Sequence, residues 1–126
     1  MALHSLPHGT PVDIAQFEAQ QIAALGIPDD LGQRHHLPHF QHLFAGSSYA
    51  AGYYVYMWAE VLEADAFNAF TEAGDPFHAE TAQRLLSNVY SAGSKRAPAQ
   101  AFRDFRGRDP VVEPMLAKRG LIAAAR

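Results

Sequence analysis

Apolar residues recur at helical spacing in five stretches of this chain, and no stretch alternates apolar with polar positions as a half-buried strand would. Ile14, Phe17, Ile22 and Leu25 predict a first helix over 11–25, opened by Thr10 and Pro11 with Asp13 in capping-box style and stopped by Gly26. Residues 26–48 read as mostly irregular, with a short turn near Asp29 to Gln33 that Pro28 starts. A long second helix is expected over 49–73, with Ser47 or Ser48 as N-cap and Gly74 as its stop. Its first half is apolar on nearly every side, with Tyr49, Tyr53 and Tyr56 on one and Ala51, Val55, Trp58 and Leu62 on another. That pattern is expected of a helix buried by neighbours all round. A third helix, 79–92, turns Leu85, Leu86, Val89 and Tyr90 inward and closes at Gly93. A fourth, 98–105, carries Phe102 and Phe105, and the last, 110–119, starts at Asp109-Pro110 and packs Val112, Met115 and Leu116 before Gly120. The expected fold class is all-α, a bundle of about five helices in a single helical domain over 1–126.

Composition narrows the partners. A chain of 126 residues can bury a modest core, and a hydrophobic fraction of 48% with eight Phe excludes general disorder. A net charge of -3 without a basic patch argues against nucleic acid or an anionic membrane surface. The longest apolar region, Tyr49 to Phe70, is broken by Glu60, Glu63 and Asp65, so it does not read as a membrane span, and no signal peptide is read before it. The absence of cysteine removes disulfides and thiolate metal sites and suits a cytoplasmic location.

Candidate chemistry concentrates between His42 and Trp58, HLFAGSSYAAGYYVYMW, where a histidine, a small-residue turn and four tyrosines fall within seventeen positions. If residues 49 onward are helical, Tyr49, Tyr53 and Tyr56 occupy i, i+4 and i+7 and project three hydroxyls along one stripe, with Gly46, Ser47 and Ser48 as a flexible lead-in. Phenols on stiff rings suit polarising a carbonyl or holding an extended backbone. The bland alternative is core packing, but a packing stripe would use Phe or Leu, because each buried hydroxyl needs a partner.

These residues carry a resemblance. From about Ile14 to Leu121 the chain resembles the C-terminal end of the thimet oligopeptidase and oligopeptidase A family of zinc metallopeptidases, its bacterial branch in particular. The segments that match are RHHLPHFQHLFAGSSYAAGYYVYMWAEVLEADAF and FRGRDPVVEPMLAKRGL. The resemblance implies a C-terminal fragment of a larger, mostly helical peptidase in which the glycine-rich turn and the next helix line the substrate cleft opposite the zinc. Substrate binding then falls to His42, Gly46, Tyr49, Tyr53 and Tyr56, and transition-state stabilisation to Tyr49 and Tyr56. The chain departs from the family in two ways. None of its seven histidines begins a HExxH, so zinc is expected in the complete family enzyme and no metal site in this chain. Ser47 and Ser48 also stand where relatives carry glycine.

Other constellations are weaker. His35, His36, His39 and His42 have the three and four spacings of helical metal ligands, but Pro38 interrupts the helix and no carboxylate is adjacent in sequence. Glu60 and Glu63 continue the tyrosine stripe, where solvated or ion-paired structural roles are expected, with Lys95, Arg103, Arg106 and Arg108 as partners. Ser47 and Ser48 lack the strand-elbow-helix context of a nucleophile. Two function classes follow: the substrate-cleft part of a zinc oligopeptidase acting on short peptides, or a non-catalytic helical module that binds peptide or self-associates as a homo-oligomer.

Overall fold

Asp13 starts the first helix. Its carboxylate accepts from the Gln16 N–H at 3.0 Å, which places helix α1 at Ile14–Leu25, three residues later than the Thr10-Pro11 signal suggested. Thr10 instead closes its own turn, donating its hydroxyl to the Pro7 carbonyl at 2.7 Å. At the other end Gly26 takes the left-handed conformation, φ 65°, and the Ile27 N–H reaches the Ile22 carbonyl at 3.1 Å, a close that favours glycine. The computed structural model describes residues 2–123, so Met1 and the last three positions of the expected 1–126 domain lie outside the described residues. The fold class is all-α, with five α-helices and no strand among the described residues.

The chain divides into two compact units, Met1–Tyr54 and Val55–Arg126. The first holds α1 and an irregular stretch beyond it, which contains the expected turn after Pro28 and two short 3-10 turns, Leu37–His39 and Gln41–Leu43. Glu18 is its only buried residue among those described.

The second unit contains α2, Val55–Glu72; α3, Ala79–Leu85, continued by a π-helical turn over Leu86–Tyr90; α4, Pro98–Arg106; and α5, Glu113–Lys118. Helix α2 therefore begins six residues after the expected start at Tyr49. Between Ser47 and Gly52 the backbone makes only loose i to i+3 bonds of 3.3 to 3.4 Å. Gly52 also costs about 1 kcal/mol relative to alanine inside a helix, which leaves the segment as turns. The all-round burial expected for the start of α2 is also overturned: Tyr54, Val55, Tyr56, Met57 and Trp58 are each 47% to 69% exposed. Its buried positions come later, at Val61, Ala64, Asp65, Ala69 and Phe70.

The π turn explains a second difference. Its Ser91 N–H bonds back five residues to Leu86 at 2.8 Å, and the extra residue shifts the helical phase. Leu86 and Tyr90 consequently face outward, while Leu85 and Val89 remain partly buried. Phe102 and Phe105 are buried as expected, and Met115 with Leu116 packs on Val61 and Ala64 to join α5 to α2. Val112 is 45% exposed because α5 starts at Glu113 and not at Pro110. The Val111 N–H is drawn out of helical pairing by Asp65 Oδ2 at 2.9 Å.

Asp65, with no exposed surface, sits in the middle of the buried stripe of α2. Arg108 grips both its oxygens at 2.6 and 2.7 Å, Arg106 Nε reaches Oδ1 at 3.1 Å, and Arg106 also forks onto Glu72 at 2.7 and 2.8 Å. Two guanidinium groups thus face two carboxylates, and no buried side-chain polar atom is left unpaired among the described residues. Burial alone would push the Asp65 carboxyl up, but the bonds from Arg108 and Val111 and the two arginine charges hold it below the usual carboxylate range.

Asp65→Asn should leave Arg108 without a carboxylate and Arg106 with Glu72 alone, and lower stability by about 3 kcal/mol, measured by urea unfolding at neutral pH. Lys118→Ala, which cuts an exposed pair with Glu63, should barely move the midpoint. The pH dependence follows from the sign of the shift. A depressed folded pKa adds stability in full above the unfolded value of about 3.9 and loses it as pH falls through the folded value. The stability gap between the native protein and Asp65→Asn should therefore be constant through neutral pH and narrow below about pH 4; a gap that stays constant into acid would contradict this.

Candidate functional site

His42, Tyr49 and Tyr53 meet, although not by the route the spacing suggested. Tyr49 and Tyr53 lie in turns preceding α2, where their rings pack edge to face at 5.3 Å between centroids. The His42 ring stands at 5.7 Å from Tyr49 and 5.6 Å from Tyr53, also edge to face, so each pair of the three is in contact. Phe40, which the sequence reading missed, is the fourth member, 4.6 Å from Tyr53 and 5.7 Å from His42. No helical period marks Phe40; its only signal is its place between two histidines.

His42 is exposed while both tyrosines are half-buried. Gly46 has no left-handed φ, and a Cβ there would meet nothing within 4 Å. Tyr56 lies in the first turn of α2, in the second unit, and is 55% exposed. The shared helical face expected for Tyr49, Tyr53 and Tyr56 is thus not formed.

The histidine run is dispersed among different partners. His35 stacks on Phe40 at 5.3 Å, and His36 donates Nδ1–H to Glu18 Oε2 at 2.7 Å. The Leu37 N–H is bound by the other Glu18 oxygen. The bond from His36, then that from Leu37, outweigh desolvation and hold the Glu18 carboxyl below its ordinary range. A carboxylate does reach this run, then, from α1 and not from its own neighbourhood in sequence. Among the described residues no three His, Cys, Asp or Glu side chains are placed to hold a metal, so the zinc that the resemblance implies has no fitting donor set here.

Glu60 and Glu63 are ion-paired, as expected, but to other partners. Glu60 accepts from Arg119 Nε at 3.0 Å and Glu63 from Lys118 at 2.8 Å, whereas Arg103 turns to Asp109 and Arg106 and Arg108 to Asp65. These carboxylates tie α2 to α5 and do not form an acid-base pair. The second unit also carries a groove of about 530 Å3 beside α2, the π turn and α4, lined by Phe67, Phe70, Val89, Tyr90, Phe102 and Phe105. None of the candidate site residues lines it. No helix among the described residues is long and apolar enough to cross a membrane.

Comparison with known proteins gives this geometry a context. A family model described as Peptidase family M3 matches residues 2–121. The chain is 43% identical over 120 residues to organellar oligopeptidase A, chloroplastic/mitochondrial, of Arabidopsis thaliana, covering 93% of this chain and 15% of that protein. It is 51% identical over 85 residues to oligopeptidase A of Escherichia coli (strain K12), covering 67% and 12% respectively. Over 110 residues it is 36% identical to dipeptidyl carboxypeptidase of Salmonella typhimurium, covering 86% and 16%. The chain therefore spans less than a fifth of the length of these relatives, and within them it corresponds to a peptidase region. With a family model that runs over nearly its whole length, the chain belongs to peptidase family M3.

Proposed function

We propose that this chain is the substrate-cleft part of a zinc-dependent oligopeptidase that hydrolyses peptide bonds in short peptides. The observation that carries the reading is the edge-to-face cluster of His42, Tyr49 and Tyr53 in a member of a peptidase family. Stiff rings that hold one another offer hydroxyl and imidazole donors at little further entropic cost, which suits binding a peptide carbonyl and the charge that develops on it. His42, Tyr49 and Tyr53 hold the peptide, Gly46 leaves room for its backbone, and Tyr49 and Tyr56 donate to the oxyanion. The family's zinc supplies the activated water in a complete enzyme. This sequence contains no HExxH, and its residues are assigned no part in holding the metal. A cytoplasmic location belongs to the same proposal and rests on the absence of cysteine, which suits a reducing compartment.

In a complete polypeptide containing this segment, Tyr49→Phe and Tyr56→Phe should each lower kcat by about 100-fold while changing KM much less, because the lost hydrogen bond forms mainly in the transition state. Steady-state kinetics on a short peptide checks this, and unchanged kcat in both variants overturns the assignment. The 126-residue chain alone is expected to cleave no peptide.

A second reading, self-association as a non-catalytic module, is favoured by one feature. Five successive large apolar side chains, Tyr54 to Trp58, are exposed at the start of α2, and water penalises such a contiguous patch. On this basis the isolated chain should form dimers or larger homo-oligomers at micromolar concentration. Light scattering that returns the monomer mass of 13.8 kDa would refute it.

A further inference from the structure

Among the described residues of the first unit, apolar side chains are at most partly buried. Glu18 is its only buried residue among those described, at 6% exposure, and it carries a charge. A carboxylate is withdrawn from water only where donors replace the hydrogen bonds it gives up. Here the donors come from eighteen and nineteen residues away, the His36 imidazole on one oxygen and the Leu37 N–H on the other. The clamp bridges α1 to the first of the two 3-10 turns, Leu37–His39, that precede the ring cluster.

From Leu37 onward the backbone is tightly wound. The Phe40 N–H bonds to the Leu37 carbonyl at 3.2 Å, Leu43 to Phe40 at 3.1 Å and Phe44 to Gln41 at 2.9 Å, so the turns Leu37–His39 and Gln41–Leu43 follow one another without slack. Phe40, three residues beyond the clamp, touches both His42 and Tyr53. An anchor at Leu37 is therefore relayed through two short turns to the rings.

We propose that Glu18 is a positioning residue for the peptide site: by clamping His36 and Leu37 it sets Phe40, and through Phe40 the arrangement of His42, Tyr49 and Tyr53. It touches no substrate. Its consequence for peptide binding rests on the function proposed above, but its consequence for ring geometry does not.

The test separates the two. In the 126-residue chain labelled with 13C in His and Tyr rings, Glu18→Ala should collapse the ring-current shifts of His42, Tyr49 and Tyr53 toward coil values. Glu18→Gln keeps a carbonyl acceptor for the Leu37 N–H but turns an NH2 group towards His36 Nδ1 in place of the second acceptor, and should move the same resonances less. Glu80→Ala, which removes an exposed carboxylate of α3, is the charge control and should move none of them. In the complete polypeptide, Glu18→Ala should lower kcat/KM for a short peptide about tenfold, with Glu18→Gln in between, which corresponds to roughly 1.4 kcal/mol of positioning. If the ring shifts collapse and kcat/KM falls in this graded order, both readings stand. If the shifts collapse while kcat/KM is unchanged, Glu18 positions the rings but the rings are not the peptide site. If Glu18→Ala leaves the ring shifts where they are, the clamp does not position them and the inference is overturned.

Discussion

A buried carboxylate has to find, inside the protein, every hydrogen bond that water would have given it, and each of the two units is organised around one that does. In the second unit Asp65 stands where an apolar residue would continue the stripe of Val61 and Ala64, and four donated bonds converge on it from Arg106, Arg108 and Val111. That requirement brings the segment between α4 and α5 back onto α2 across more than forty residues of sequence. The Val111 N–H that binds Asp65 lies two residues before α5, which begins at Glu113. Hydrophobic contact of Met115 with Val61 and Ala64 then adds to a geometry the ion pairs have already specified.

Much of the helical order was legible because its punctuation is local. Gly26, Gly74, Gly107 and Gly120 all take positive φ at helix ends, and Pro98 opens α4 where the sequence places it. The errors fall where a side chain reaches across the fold or the helical phase changes. Asp13 overrode Thr10 as the first cap, and the rings of Tyr49 and Tyr53 turned toward His42 instead of lining a helix. The π turn rotated Leu86 and Tyr90 outward, a shift that no apolar period announces. Asp65 looked like an interruption of an apolar run and is the most buried carboxylate of the second unit, since the sequence does not show which arginine will meet it.

Within the candidate site, the residue types were legible and their arrangement was not. His42, Tyr49 and Tyr53 meet through ring contacts between turns and not on the helical face that the spacing suggested, and neither Phe40 nor Glu18 has a spacing that connects it to the tyrosines. Tyr56 and the two tyrosines before it belong to different kinds of backbone, a helix in one case and turns in the other.

That difference bears on what such a site can do. A tyrosine in the first turn of an eighteen-residue helix is held by a cooperative element, whereas Tyr49 and Tyr53 lie in turns, with ring contacts to one another, to His42 and, for Tyr53, to Phe40. Edge-to-face ring contacts are worth about 0.5–1.5 kcal/mol each, enough to favour one arrangement but small enough to exchange for contacts with a bound peptide. Under the function proposed above, a cluster of this strength would reshape itself around different side chains while keeping its donors near the peptide backbone, which is common to all of them. The fixed reference it needs then comes from outside the rings, from the carboxylate of Glu18, which holds His36 and the Leu37 N–H ahead of the two short turns.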